Sequence, residues 1–185
     1  MGANGGLAVS GCATGRLRLW DLEKRRVLFS LRAHSREVTR VAVTPNMEFA
    51  VSASPDGSIR VWDLAMRAEL ICLLKDSDGV GAVAISRNGR FVVAGLADKT
   101  AKVWDLWDGT EPKTLGPHLD SASAIAVTAD GGVVLVGSGD RITVWERTTG
   151  HQRVLADHSG LVSGIAVSSD GRRAISASID GTLQV

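Results

Sequence analysis

A Trp-Asp or Trp-Glu pair recurs along the chain at a nearly constant step: Trp20-Asp21, Trp62-Asp63, Trp104-Asp105 and Trp145-Glu146, at intervals of 42, 42 and 41 residues. Each pair closes a short alternating run, R-L-R-L-W, S-I-R-V-W, T-A-K-V-W and R-I-T-V-W. Alternation of apolar and polar residues marks a strand with one face buried. Upstream, a second run of period two keeps the same step: V-T-R-V-A-V-T, V-G-A-V-A-I-S, S-A-I-A-V-T and V-S-G-I-A-V-S. Turn residues follow each of these runs, as in R-N-G, A-D-G-G and S-D-G-R. Further short strands fill the rest, so each unit holds four strands in about 42 residues. Twenty-one glycines supply the turns, and only four prolines interrupt the pattern.

A four-stranded sheet of this length cannot bury both faces alone, so neighbouring units must stack face to face. That requirement predicts an all-β chain of four-stranded antiparallel blades, a β-propeller. The repeated units resemble WD40 repeats over essentially the whole chain: the Trp-Asp pair ends the third strand, Asp56 stands six residues before Trp62, and His34 precedes the first strand. Approximate units are 1–32, lacking its inner strand, then 33–74, 75–116, 117–157, and 158–185, which stops before its own Trp. About four and a half units imply an open or incomplete arc, since propellers close with roughly four to eight blades. The expectation is a slice of a longer propeller, with its ends completed by further repeats or by a second copy.

His34, Ser52, Asp56 and Trp62 include the residue types of a hydrolytic triad. The same set returns as His158, Ser176 and Asp180, and a unique nucleophile has no reason to recur once per blade. The resemblance implies a buried hydrogen-bonded chain with a structural role. It extends by position to Asp98, Trp104, His118, Asp140 and Trp145, with gaps. Asp76 and Ala94 replace the His and Ser of the Trp104 unit, which predicts that unit to be the least rigid of the complete ones. In the Trp145 unit one residue is missing after Asp140 and the Ser position falls on Val136, with Ser138 as candidate substitute. The first unit carries Ser10, but Thr14 in place of the Asp.

The resemblance also implies a non-catalytic interaction scaffold with no cofactor and no metal. It binds other proteins or peptides through its loops. Candidate contact positions, carried over by place in the repeat, are Arg36, Pro55, Asp78, Ala97, Asp120, Leu161 and Ile179. Among them only Arg36 suits a phosphate ligand. Trp-Asp-x-Arg, expected of a ubiquitin-ligase receptor, is absent from W-D-L-E, W-D-L-A, W-D-L-W and W-E-R-T. Trp107 lies outside the repeat pattern, either covering the edge of its own blade or offered to a partner. The alternative function is a sensor or autoinhibitory segment of a larger NTPase- or kinase-linked signalling protein. No G-x-x-x-x-G-K-[ST] occurs among these residues.

Charge excludes a global pull on polyanions, with Lys+Arg at 21 against Asp+Glu at 20. Lys24, Arg25 and Arg26 read as a solvated turn, so no nucleic-acid partner is expected. Neither a secretory signal nor a membrane span is evident. Cys12 and Cys72 lack disulfide-framework or C-x-x-C spacing, which suits a reducing compartment, cytoplasmic or alternatively nuclear.

Overall fold

The computed structural model describes residues 5–75, 77, 79–116 and 120–185, the side chains of Ala156 and Asp157 excepted. These residues are all-β, in five antiparallel sheets that follow one another along the chain. The first sheet is β1 (Leu7–Gly11), β2 (Arg16–Asp21) and β3 (Arg26–Arg32). The second is β4 (Arg40–Val43), β5 (Phe49–Ala53), β6 (Ile59–Asp63) and β7 (Ala68–Leu74). The third is β8 (Val80–Ile85), β9 (Phe91–Leu96), β10 (Ala101–Asp105) and β11 (Lys113–Leu115). The fourth is β12 (Ala122–Val127), β13 (Val133–Ser138), β14 (Arg141–Glu146) and β15 (Gln152–Asp157). The fifth is β16 (Val162–Val167), β17 (Ala174–Ser178) and β18 (Leu183–Gln184).

The inner strands β4, β8, β12 and β16 pack in series, and β1 meets β4. Each tryptophan of the three complete sheets shares a buried cluster with the preceding sheet: Trp62 with Leu17 and Ala33, Trp104 with Val51, Ile59 and Val61, Trp145 with Phe91 and Val103. Burying one such valine or isoleucine stabilises by roughly 1.5–3 kcal/mol, so the stack is held mainly by these seams. Polar ties cross them too. Arg40 Nε donates to the Gly81 carbonyl at 2.5 Å, and Ser123 Oγ to the Val162 carbonyl at 2.6 Å. Among the described residues no strand of the fifth sheet pairs with one of the first, so the stack is an open arc.

Two turn devices repeat with the sheets. After each inner strand a hydroxyl, from Thr44, Ser86, Thr128 or Ser168, accepts an N–H at or just before the start of the next strand, at 2.9–3.0 Å. Beyond the third strand, the Asp of the Trp-Asp pair accepts a turn N–H: Lys24 on Asp21, Met66 on Asp63, Trp107 on Asp105. That bond gives the second letter of the repeated pair its local reason, an acceptor for a donor that the sheet cannot satisfy.

Candidate functional site

In the second sheet, β5 and β6 place Ser52 and Trp62 on one buried face, and the loop after β3 carries His34 over them. Trp62 Nε1–H donates to Ser52 Oγ at 2.8 Å, and Ser52 Oγ lies 2.7 Å from His34 Nε2. On its other side His34 Nδ1 lies 2.9 Å from Ser58 Oγ and 3.1 Å from an Asp56 carboxylate oxygen. Burial pushes the His34 pKa below its usual value, against the pull of Asp56. A neutral ring follows: Nδ1–H faces Asp56 and Ser58, and Nε2 accepts the Ser52 hydroxyl. Burial opposes the charge on Asp56, but the Ser58 hydroxyl and the N–H groups of Ser35 and Ser58 outweigh it and hold the carboxyl at about 2.

The order of atoms is that of a hydrolytic triad, yet Ser52 is 0% exposed. A serine so enclosed, with an indole N–H on its oxygen, offers no approach to a substrate. The chain recurs in the fifth sheet. His158 Nε2 lies 2.8 Å from Ser176 Oγ, its Nδ1 3.1 Å from Thr182 Oγ1 and 3.4 Å from Asp180. Hydrogen bonds from the Thr182 hydroxyl and N–H hold the Asp180 carboxyl well below the usual carboxylate range, with Ser159 N–H adding to them.

Elsewhere the network is partial. Trp20 Nε1–H donates to Ser10 Oγ at 2.8 Å. Asp98 accepts the Thr100 hydroxyl at 2.6 Å, while Trp104 lies in an apolar cluster with Ala94, whose methyl replaces a hydroxyl. Asp140 departs from the expected role. Gly139 and Asp140 alone join β13 to β14, and in this shorter turn the Asp140 side chain is 58% exposed, 4.0 Å from Arg141. Ser138 donates to the Asp120 carbonyl at 2.6 Å and accepts the Asp120 N–H at 2.9 Å, a loop bond that Ser178 also makes, to the Gly160 carbonyl, in the fifth sheet, rather than a substitute for Ser52. Trp145 is buried, with Lys113 Nζ 4.7 Å from its ring centroid. His118, Asp76 and Asp78 lie outside the described residues.

Ser58, Thr182, Ser35 and Ser159 take part in the networks around His34 and His158 and escaped the sequence reading. Their signal was present, as His-Ser at both histidines and Asp-Gly-Ser or Asp-Gly-Thr at both aspartates.

The candidate contact residues Arg36, Pro55, Ala97, Asp120, Leu161 and Ile179 sit in loops at the same end of the sheets. All are exposed except Pro55, which is half-buried. Neighbouring loops are bonded in pairs: Arg36 Nη1 to the Pro55 carbonyl at 3.1 Å, and Ile179 N–H to the Leu161 carbonyl at 3.0 Å. Trp107, by contrast, follows β10 at the opposite end, 67% exposed. Among the described residues no group of three His, Cys, Asp or Glu side chains gathers as a metal-binding set.

No curated protein matches the chain. The family described as WD domain, G-beta repeat, matches residues 25–63, 69–105 and 149–185, together more than half of the length. With the recurring Trp-Asp turn, the stacked antiparallel sheets and the buried His-Ser-Asp-Trp chain already in place, the match settles the family: this chain belongs to the WD40 repeat proteins.

Proposed function

We propose that the chain is a non-catalytic platform for protein–protein interaction, and that its polar networks hold its binding loops in place. WD40 repeats generally bind other proteins. The observation that carries the reading is the complete enclosure of Ser52 together with the repetition of its network around Ser176. The networks pin the loops that bear Arg36, Pro55, Leu161 and Ile179, and the exposed Arg36, Leu161 and Ile179 form the contact surface at that end. Two free cysteines suit a reducing, cytoplasmic setting for such a platform.

The test is to treat the folded protein with a fluorophosphonate and locate any adduct by mass spectrometry. No adduct on Ser52 or Ser176 is expected until the chain is denatured. Rapid labelling of Ser52 in the native state, abolished in His34→Ala without loss of fold, would make the chain a hydrolase and end the proposal.

A further inference from the structure

Among the described residues, Trp107 is the large aromatic side chain most open to solvent, 67% exposed. It is nonetheless fixed in place. Its N–H donates to Asp105 Oδ1 at 3.2 Å, and its ring centroid lies 5.4 Å from the Arg90 guanidinium carbon. Arg90 is itself clamped, with Nε 2.8 Å from Asp105 Oδ1 and Nη2 2.6 Å from Oδ2. The same guanidinium lies 5.0 Å from the ring of Phe91, which is 2% exposed, and Arg147, in the turn after β14, reaches that ring at 4.3 Å. A ladder of alternating rings and guanidinium groups thus ties an exposed indole to the core. A ring held this way gives up little freedom when a ligand covers it.

Inside the ladder, an indole and a neighbouring carboxylate together hold a guanidinium, Arg90 between Trp107 and Asp105. The outer side of the indole is open, and two further acidic residues follow Trp107 in the same connection. Asp108 follows Trp107 directly, close enough for its charge to act on Arg90, and the exposed Glu111 ends the same turn. Arg90 is neutralised by Asp105, so the charge left on this turn is negative. We propose that the open face of Trp107, with Asp108 and Glu111, is a docking point for an arginine-bearing segment of a partner protein. The guanidinium stacks on the indole and bonds to the carboxylate, as Arg90 does from within. The inference rests on the binding-platform reading and places a second contact surface at the end of the sheets opposite Arg36 and Ile179.

The experiment is calorimetric titration of the full chain at low salt with a short peptide of alternating arginine and glycine. Its lysine and glutamate counterparts serve as comparisons, and each variant's fold is checked by its melt. Expected are saturable binding of the arginine peptide, weaker binding of the lysine peptide and none of the glutamate peptide. Trp107→Ala should weaken the arginine complex about tenfold with an unchanged melt. Asp108→Asn should weaken it several-fold, and decides the matter alone if Trp107→Ala lowers the melt. Equal affinity in wild type and variants, no binding of the arginine peptide, or equal binding of the glutamate peptide would overturn the proposal. Any of these would leave the fluorophosphonate result, and the platform reading, standing.

Discussion

Ser52 receives the Trp62 indole N–H and gives its own proton to His34, at a position with no solvent exposure. Ser52→Ala therefore leaves an indole donor and an imidazole acceptor buried together without partners. Each orphaned group costs about 1–3 kcal/mol, so a loss of about 2–6 kcal/mol is expected in a urea titration with unchanged m. A loss under about 0.5 kcal/mol would show that the network carries no stability. The same residues set a pH dependence. The folded-state pKa of His34 is depressed by burial, so the unfolded chain takes up a proton that the folded chain refuses once pH falls below about 6.5. Stability is full above that value and declines as pH falls. A second decline follows below about 4, the unfolded carboxylate range, as Asp56 is protonated towards its folded value of about 2. His34→Gln should remove the first decline and keep the second. At this scale His34, Ser52, Asp56 and Trp62 were legible because they recur as a set, whereas Asp140 misled because one deleted residue changes where a side chain points.

Among the elements, the turns after the third strands share a left-handed residue at one position: Arg25, Arg67, Gly109 and Gly150, with φ of 51, 56, 64 and 71°. An added Cβ at Gly109 meets nothing within 4 Å, so Gly109→Ala isolates the backbone effect and should cost about 1 kcal/mol in a thermal melt. Gly131 has the same handedness, φ 73°, but its Cβ would enter the Phe91 ring. Gly131→Ala should cost distinctly more, and equal costs would contradict the packing described here. The hydroxyls of Thr44, Ser86, Thr128 and Ser168 were visible in the repeat, but their role was not, since a Ser or Thr at a strand end also suits a solvated turn. Similarly, the missing Ser and His of the third sheet pointed to looseness there. All six residues of β9 are buried, so apolar packing occupies the place of the polar chain there.

For the whole molecule, the order of the sheets follows from the repeat, because a unit with one apolar face too many has only its neighbours to cover it. The identity of a ligand does not follow in the same way. Trp107 stands outside the period, and only the structure shows that Arg90 holds its ring. The last sheet exposes Ile175, Ile179, Leu183 and Val185, at 40%, 72%, 67% and 91%. Exposed apolar side chains gathered on one sheet associate, so light scattering of residues 1–185 should show mass rising with concentration, and Leu183→Lys should reduce that rise. A concentration-independent monomer in both proteins would contradict it.

The central claim is that a buried polar chain holds the loops of a stacked WD40 array. Native-state hydrogen exchange of the wild type and Ser52→Ala tests it most directly. The account predicts strongest protection in β5, β6, β9, β10 and β13. It also predicts that Ser52→Ala speeds exchange first at the amides of Ala33, His34 and Thr39, which bind carbonyls of Gly15 and Ala53 across the loop. Unchanged exchange in that loop, with the fold intact, would show that Ser52 holds nothing there and would contradict the account.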